Sequence, residues 1–111
     1  MDILYVEDTV KVLYLEIKDD NNVPIDITGG TIYFTVKEEL NDVPDDSGSV
    51  IAIDVTSHTD PTNGITQITI PATPFNLIDC VYDIMYTDSL DNNIQLVTGY
   101  FKFLRAVTNR A

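Results

Sequence analysis

The sequence has no tryptophan, one cysteine, one histidine, and six basic residues against 18 acidic ones. Each shortage excludes something. A lone cysteine, Cys80, rules out an internal disulfide and a cysteine-based metal cage. A lone histidine, His58, leaves a single side chain to serve any histidine-paired nucleophile. A net charge of −12 sets the chain against nucleic acid and anionic membranes, so neither is an expected partner. No apolar run approaches the roughly 18 residues that a membrane span needs. Met1-Asp2-Ile3-Leu4-Tyr5 lacks the basic stretch and apolar core of a secretory signal, so synthesis in a cytoplasm is expected.

What is present points to one globular unit. The 111 residues are 44% hydrophobic, enough for a single core, and one domain is expected over residues 1–111. Charge is unevenly placed. Residues 102–111 hold three bases, Lys102, Arg105 and Arg110, and no acid. This end is a candidate contact surface for an acidic neighbour, including an adjacent copy; the alternative is a solvated terminus.

Short alternating segments broken by turn residues dominate the chain, the signature of a sandwich or barrel. Lys11–Lys18 sets Leu13, Leu15 and Ile17 on one face, and Asp19-Asp20-Asn21-Asn22 then turns the chain. Pro24–Thr28 reads as extended, and Gly29-Gly30 supplies a tight corner. Thr31–Lys37 is the cleanest strand, with Ile32, Phe34 and Val36 inward and Tyr33, Thr35 and Lys37 outward. A polar loop covers 38–49. Val50–Thr56 follows, with Ile51, Ile53 and Val55 inward. Asp60-Pro61-Thr62-Asn63-Gly64 is a strong turn signal before a strand at Ile65–Ile70. Thr73–Ile78 reads as a short helical turn capped by Thr73, with Pro74 in its first position. Val81–Thr87 alternates with Tyr82, Ile84 and Tyr86 inward. In Ile94–Val107 the inward set switches parity from Ile94 and Leu96 to Phe101 and Phe103, which demands a bulge, and Gly99 is the expected place. The fold class is therefore all-β: an immunoglobulin-like antiparallel β-sandwich of about seven strands, without the tryptophan and cysteine pair of antibody domains.

No catalytic, cofactor-binding or metal-binding constellation emerges. His58, between Ser57 and Asp60, reads as a surface-loop histidine. Cys80, beside Ile78 and Val81, reads as a half-buried apolar residue without a base to activate it. The acidic runs Asp42/Asp45/Asp46 and Asp88/Asp91 lack the alternating oxygen pattern that wraps calcium, and read as solvated turns. Gly29-Gly30 leads into a strand, so no helix N-terminus is there to hold a phosphate.

One extended pattern carries a resemblance. Asp8-Thr9, an alternating strand, Asp19 through Thr31 with its Asp26-Ile27-Thr28-Gly29-Gly30-Thr31 step, and Phe34-Thr35-Val36-Lys37 resemble the opening of a phage Ig-like module, as in the N-terminal domains of baseplate upper proteins and related tail proteins. Asp60–Gly64 with Ile65–Ile70, then Thr73, Leu77, Tyr82-Asp83-Ile84, Gly99 and Val107-Thr108-Asn109-Arg110, are similar to that group's later motifs. Ile78-Asp79-Cys80 departs from it, standing where the group has a glycine before the tyrosine. The resemblance implies a structural protein of a tailed bacteriophage virion, made in the bacterial host. Its partners would be other virion proteins, and a homo-oligomer is expected in the particle. Tail, baseplate or fibre attachment leads; capsid decoration, and a carbohydrate-binding or adhesion module, are the alternatives. Candidate interface residues are the outward Tyr33, Val81, Met85, Tyr100 and Leu104, with the basic Lys102, Arg105 and Arg110. Met1–Val6, ahead of the first regular strand, is a candidate to pair with a neighbour's sheet edge; the alternative for all of these is ordinary surface or a second layer of the same core.

Overall fold

The structure, a computed structural model, describes residues 2–39 and 48–105. Seven strands form: β1 (Ile3–Val6), β2 (Lys11–Glu16), β3 (Thr31–Glu38), β4 (Ile51–Val55), β5 (Ile65–Ile70), β6 (Cys80–Thr87) and β7 (Asn93–Leu104). They build an all-β sandwich with a five-stranded sheet ordered β1-β7-β6-β3-β4 facing a two-stranded sheet, β2-β5. Every pairing is antiparallel except β1 with β7, which is parallel.

The period-two pattern does the sorting. Ile32, Phe34 and Val36 of β3, Tyr82, Ile84 and Tyr86 of β6, and Ile68 and Ile70 of β5 are all buried on the inner faces. Leu13 and Leu15 of β2 and Ile53 and Val55 of β4 pack against that core from its margins. The extended 24–28 segment contributes Ile27, fully buried between the sheets.

The N-terminal segment corrects one expectation. It pairs within its own chain, Ile3 opposite Phe101 and Tyr5 opposite Phe103. Tyr5 explains why. Its ring is fully buried, 5.5 Å from both Phe101 and Phe103. Its hydroxyl donates toward the Thr9 carbonyl (2.6 Å), with the Pro71 carbonyl at 3.1 Å, and accepts the Thr73 N–H (2.8 Å). A buried tyrosine needs such partners, and these three lock β1 onto the sheet.

The helical turn expected at Thr73–Ile78, with the Thr73 hydroxyl as its cap, does not form. Thr73 gives its backbone N–H to Tyr5 and its hydroxyl to the Pro71 carbonyl, and Asn76 caps Ile78 N–H in an Asx turn. The segment stays irregular. Among the described residues, helical geometry is confined to a 3-10 turn at Pro61–Asn63, ended by Gly64 in the left-handed region. A side chain at Gly64 would meet the Ile17 carbonyl at 2.5 Å and the Ile25 carbonyl at 2.7 Å. This turn feeds the crossing from β4 in one sheet to β5 in the other.

The bulge exists but lies earlier than Gly99, and Ile94, expected to face inward, is exposed, lying beyond that bulge at the start of β7. Ile84 opposes Val97 and Met85 opposes Gln95, so Leu96 is the extra residue, while Gly99 stays in register opposite Tyr82. Leu96 and Val97 both pack on the core, and the irregularity falls where two consecutive apolar side chains turn inward. Gly30 earns its place by close approach: a Cβ there would sit 2.3 Å from the Tyr86 ring.

Three turns share one device. Asp19 Oδ1 accepts N–H groups two and four residues on, Asn21 and Val23, and Asn22 takes a left-handed conformation. Asp88 does the same with Leu90 and Asn92, with Asp91 left-handed. Asp26 accepts from Thr28, with Gly29 left-handed. Part of the acidity is thus turn chemistry. The expectations placed on Asp42, Asp45, Asp46, Val107, Thr108, Asn109 and Arg110 lie outside the described residues.

Candidate functional site

The outer face of the five-stranded sheet gathers most of the sequence-chosen residues. On β6, Val81, Asp83 and Met85 point outward. Register places Tyr100 and Lys37 on either side of Val81, Thr98 and Thr35 on either side of Asp83, and Gln95 and Tyr33 on either side of Met85. Val81 and Met85 of β6, with Tyr33 and Tyr100 from the strands on either side, therefore frame one residue not among the candidates chosen from the sequence: Asp83. Its signal was legible. It alternates with two apolar side chains on a strand predicted to be central, which is where an outward carboxylate is least solvated.

Asp83 lies at a concavity of about 430 Å³ lined by Thr35, Lys37, Val81, Thr98 and Tyr100 among others. Burial raises its carboxyl above the ordinary aspartate value, and the charge of Lys37 pulls the other way. No hydrogen bond or ion pair closes on the Asp83 carboxylate among the described residues.

Further along β7 the same face carries Lys102 and Leu104, beside Leu4 and Val6 of β1. Leu4, Val6, Tyr100 and Leu104 are all exposed, a run of apolar surface that continues from the concavity. The basic side chains here turn to their own chain. Lys102 lies 3.9 Å from Asp2; Arg105 lies 3.9 Å from Glu7 and stacks 4.0 Å over the Phe75 ring. Arg110 lies outside the described residues.

His58 is a correction. It is half-buried and bonded at both ring nitrogens, to the Gly30 carbonyl (2.8 Å) and the Thr66 hydroxyl (2.9 Å). The carbonyl only accepts, so Nε2 carries the proton, and in the neutral ring Nδ1 accepts from Thr66. Gly30 leads into β3 and Thr66 sits on β5, so the ring ties the two sheets together. Asp60 is occupied elsewhere, accepting from Asn63 (2.8 Å).

Cys80 is fully buried, beyond the half-burial expected, and burial together with Glu38 and Asp79 pushes its thiol up to about 11. That is the opposite of an activated nucleophile. Asp88 is spent on backbone N–H groups, which hold its carboxyl below the ordinary value. Among the described residues no group of three or more histidine, cysteine, aspartate or glutamate side chains is placed to hold a metal ion, and no helix is long and apolar enough to cross a membrane.

A smaller hollow of about 230 Å³ opens between the sheets, lined by Leu15, Ile17, Ile84, Leu96 and Val97. The extra residue at Leu96 lies on its wall.

No protein-family model, curated protein or solved structure matches this chain.

Proposed function

We propose that this chain is a structural assembly module of a tailed-bacteriophage virion, at the tail, baseplate or fibre-attachment level, working by surface complementarity rather than by catalysis. One observation carries the assembly part of the reading. The outer face of the five-stranded sheet groups Tyr33, Val81, Met85 and Tyr100 around a half-buried carboxylate on which no hydrogen bond or ion pair closes among the described residues, and apolar surface continues from there over β7 and β1. Single exposed apolar side chains are ordinary on a protein surface; a contiguous apolar stretch beside a half-buried carboxylate is what supports an interaction face. The strand order also supports the Ig-like reading. β7, β6 and β3 form the middle of one sheet, β4 extends it on one side, and the first strand joins the last in parallel on the other, while β2 and β5 face them. The phage assignment rests on the resemblance of the Asp19–Lys37 region and the later motifs.

Mass spectrometry and cryo-electron microscopy of purified particles from the phage that encodes the chain test this reading. Stoichiometric presence with density for a two-sheet sandwich in the tail or baseplate is expected. Density on the capsid would make it a decoration protein, and absence from particles would end the virion reading.

A further inference from the structure

We propose that the Asp83 concavity is a receptor for an arginine side chain presented by a basic partner protein. The proposal rests on the assembly reading above and names the partner's chemistry at that face. Three observations converge. First, Asp83 is a half-buried carboxylate on the central part of the sheet, flanked in register by Thr98 and Thr35, with no bond closing on it among the described residues. Taking a carboxylate partly out of water without a partner is unfavourable, and a cationic donor from outside removes that cost. Second, the walls suit a planar cation on an apolar stem. The Tyr100 ring offers a face for guanidinium stacking, and Val81 offers apolar surface for the methylenes. Thr98 and Thr35, the register neighbours of Asp83, add hydroxyl acceptors, and Gln95 lines the same concavity, a set that matches a donor-rich fork better than a point charge. Third, charge complementarity favours a basic partner. The chain carries −12, so a second copy is repelled over most of its body and has only its basic end, residues 102–111, to offer Asp83, whereas a basic protein is drawn to the whole surface. Lys37 stands at the rim as the cation of this chain that the newcomer must share Asp83 with.

The test is a titration of the ¹⁵N-labelled full chain with the blocked tripeptide acetyl-Val-Arg-Val-amide, followed by amide shifts. The same peptide with citrulline, which keeps the shape of arginine and loses the charge, is the control. The arginine peptide is expected to move the amides of Thr35, Asp83, Thr98 and Tyr100 and to bind at least about tenfold more tightly than the citrulline peptide. Asp83→Asn should abolish that preference while keeping a native spectrum. Tyr100→Ser should weaken arginine binding several-fold on a fold that is otherwise intact. Equal binding of both peptides, shifts confined to the acidic turns at Asp19 or Asp88, or an unchanged Asp83→Asn would each overturn the proposal. Sedimentation of the free chain supplies a further arm: self-association through this face, abolished by Asp83→Asn, would make the occupant a second copy and defeat the basic-partner assignment. None of these outcomes touches whether the chain is found in particles, so the two proposals fail separately.

Discussion

The two sheets of this sandwich are built alike inside and differ outside. The five-stranded sheet buries Ile32, Phe34, Val36, Tyr82, Ile84 and Phe101 inward, yet its outer face holds Val81, Asp83 and Met85 half-shielded by neighbouring strands. The two-stranded sheet buries Ile68 and Ile70 inward, while its outer face leaves Tyr14 79% exposed opposite Gln67. Width makes the difference. A central strand has a neighbour on each side, so even its outward residues lose water; in a two-stranded sheet each strand has an open edge. A two-stranded sheet is marginal alone and depends on the face it covers. The wide sheet is therefore scaffold and candidate site together, and the narrow one is a cover.

That contrast can be broken at several points. The largest effect is expected inside the wide sheet. Phe101→Ala removes a fully buried ring that touches Tyr5, Phe34 and Phe103, and should cost about 3–5 kcal/mol in urea unfolding. Next comes the tie between the sheets. His58→Ala leaves the Gly30 carbonyl and the buried Thr66 hydroxyl without the ring, and should cost about 1–3 kcal/mol. If the sheets hold each other by apolar contact alone, that loss shrinks to nothing.

Smaller and opposite in sign is Asp83→Asn. The folded chain holds the Asp83 proton more tightly than the unfolded chain does, because burial raises the carboxyl. Stability from this group therefore falls as pH rises through that interval, and the penalty is fully present above the folded value. The variant should gain well under about 1 kcal/mol at neutral pH after solvent screening, and the gain should vanish in acid below the ordinary aspartate range. A destabilised Asp83→Asn at neutral pH would mean that the carboxylate is already satisfied. A residue whose removal stabilises the free chain while weakening binding marks a site kept for function. The least effect is expected on the cover: Tyr14→Ser should stay within about 0.5 kcal/mol.

Much of this was legible from residue order. Alternation identified the inward residues of β3 and β6, and the parity switch in the last strand required an extra residue. The Asp19 and Asp88 turns followed from the local chemistry of aspartate and asparagine. The misses have a common cause, long-range partners. At Thr73 the backbone N–H anchors Tyr5, 68 residues away, and the hydroxyl expected to cap a helical turn goes back to the Pro71 carbonyl. Cys80 looked half-buried because its neighbours say nothing of the strands beside it. His58 looked like a loop residue because Gly30 and Thr66 are brought to it by strands of different sheets. The bulge went to Leu96 because packing, not glycine's freedom, chose where two successive side chains turn inward.

By itself, then, the sequence determined which residues of β3 and β6 face the core, where the Asp19, Asp60 and Asp88 turns fall, and that no internal disulfide holds this acidic domain. Only the tertiary structure decided that β1 returns to its own β7, that His58 spans the sheets, and that Tyr33, Val81, Met85 and Tyr100 surround Asp83. The physical reason is that period-two alternation is a local property of each strand, whereas the order of strands across a sheet is set by contacts between segments far apart in the chain.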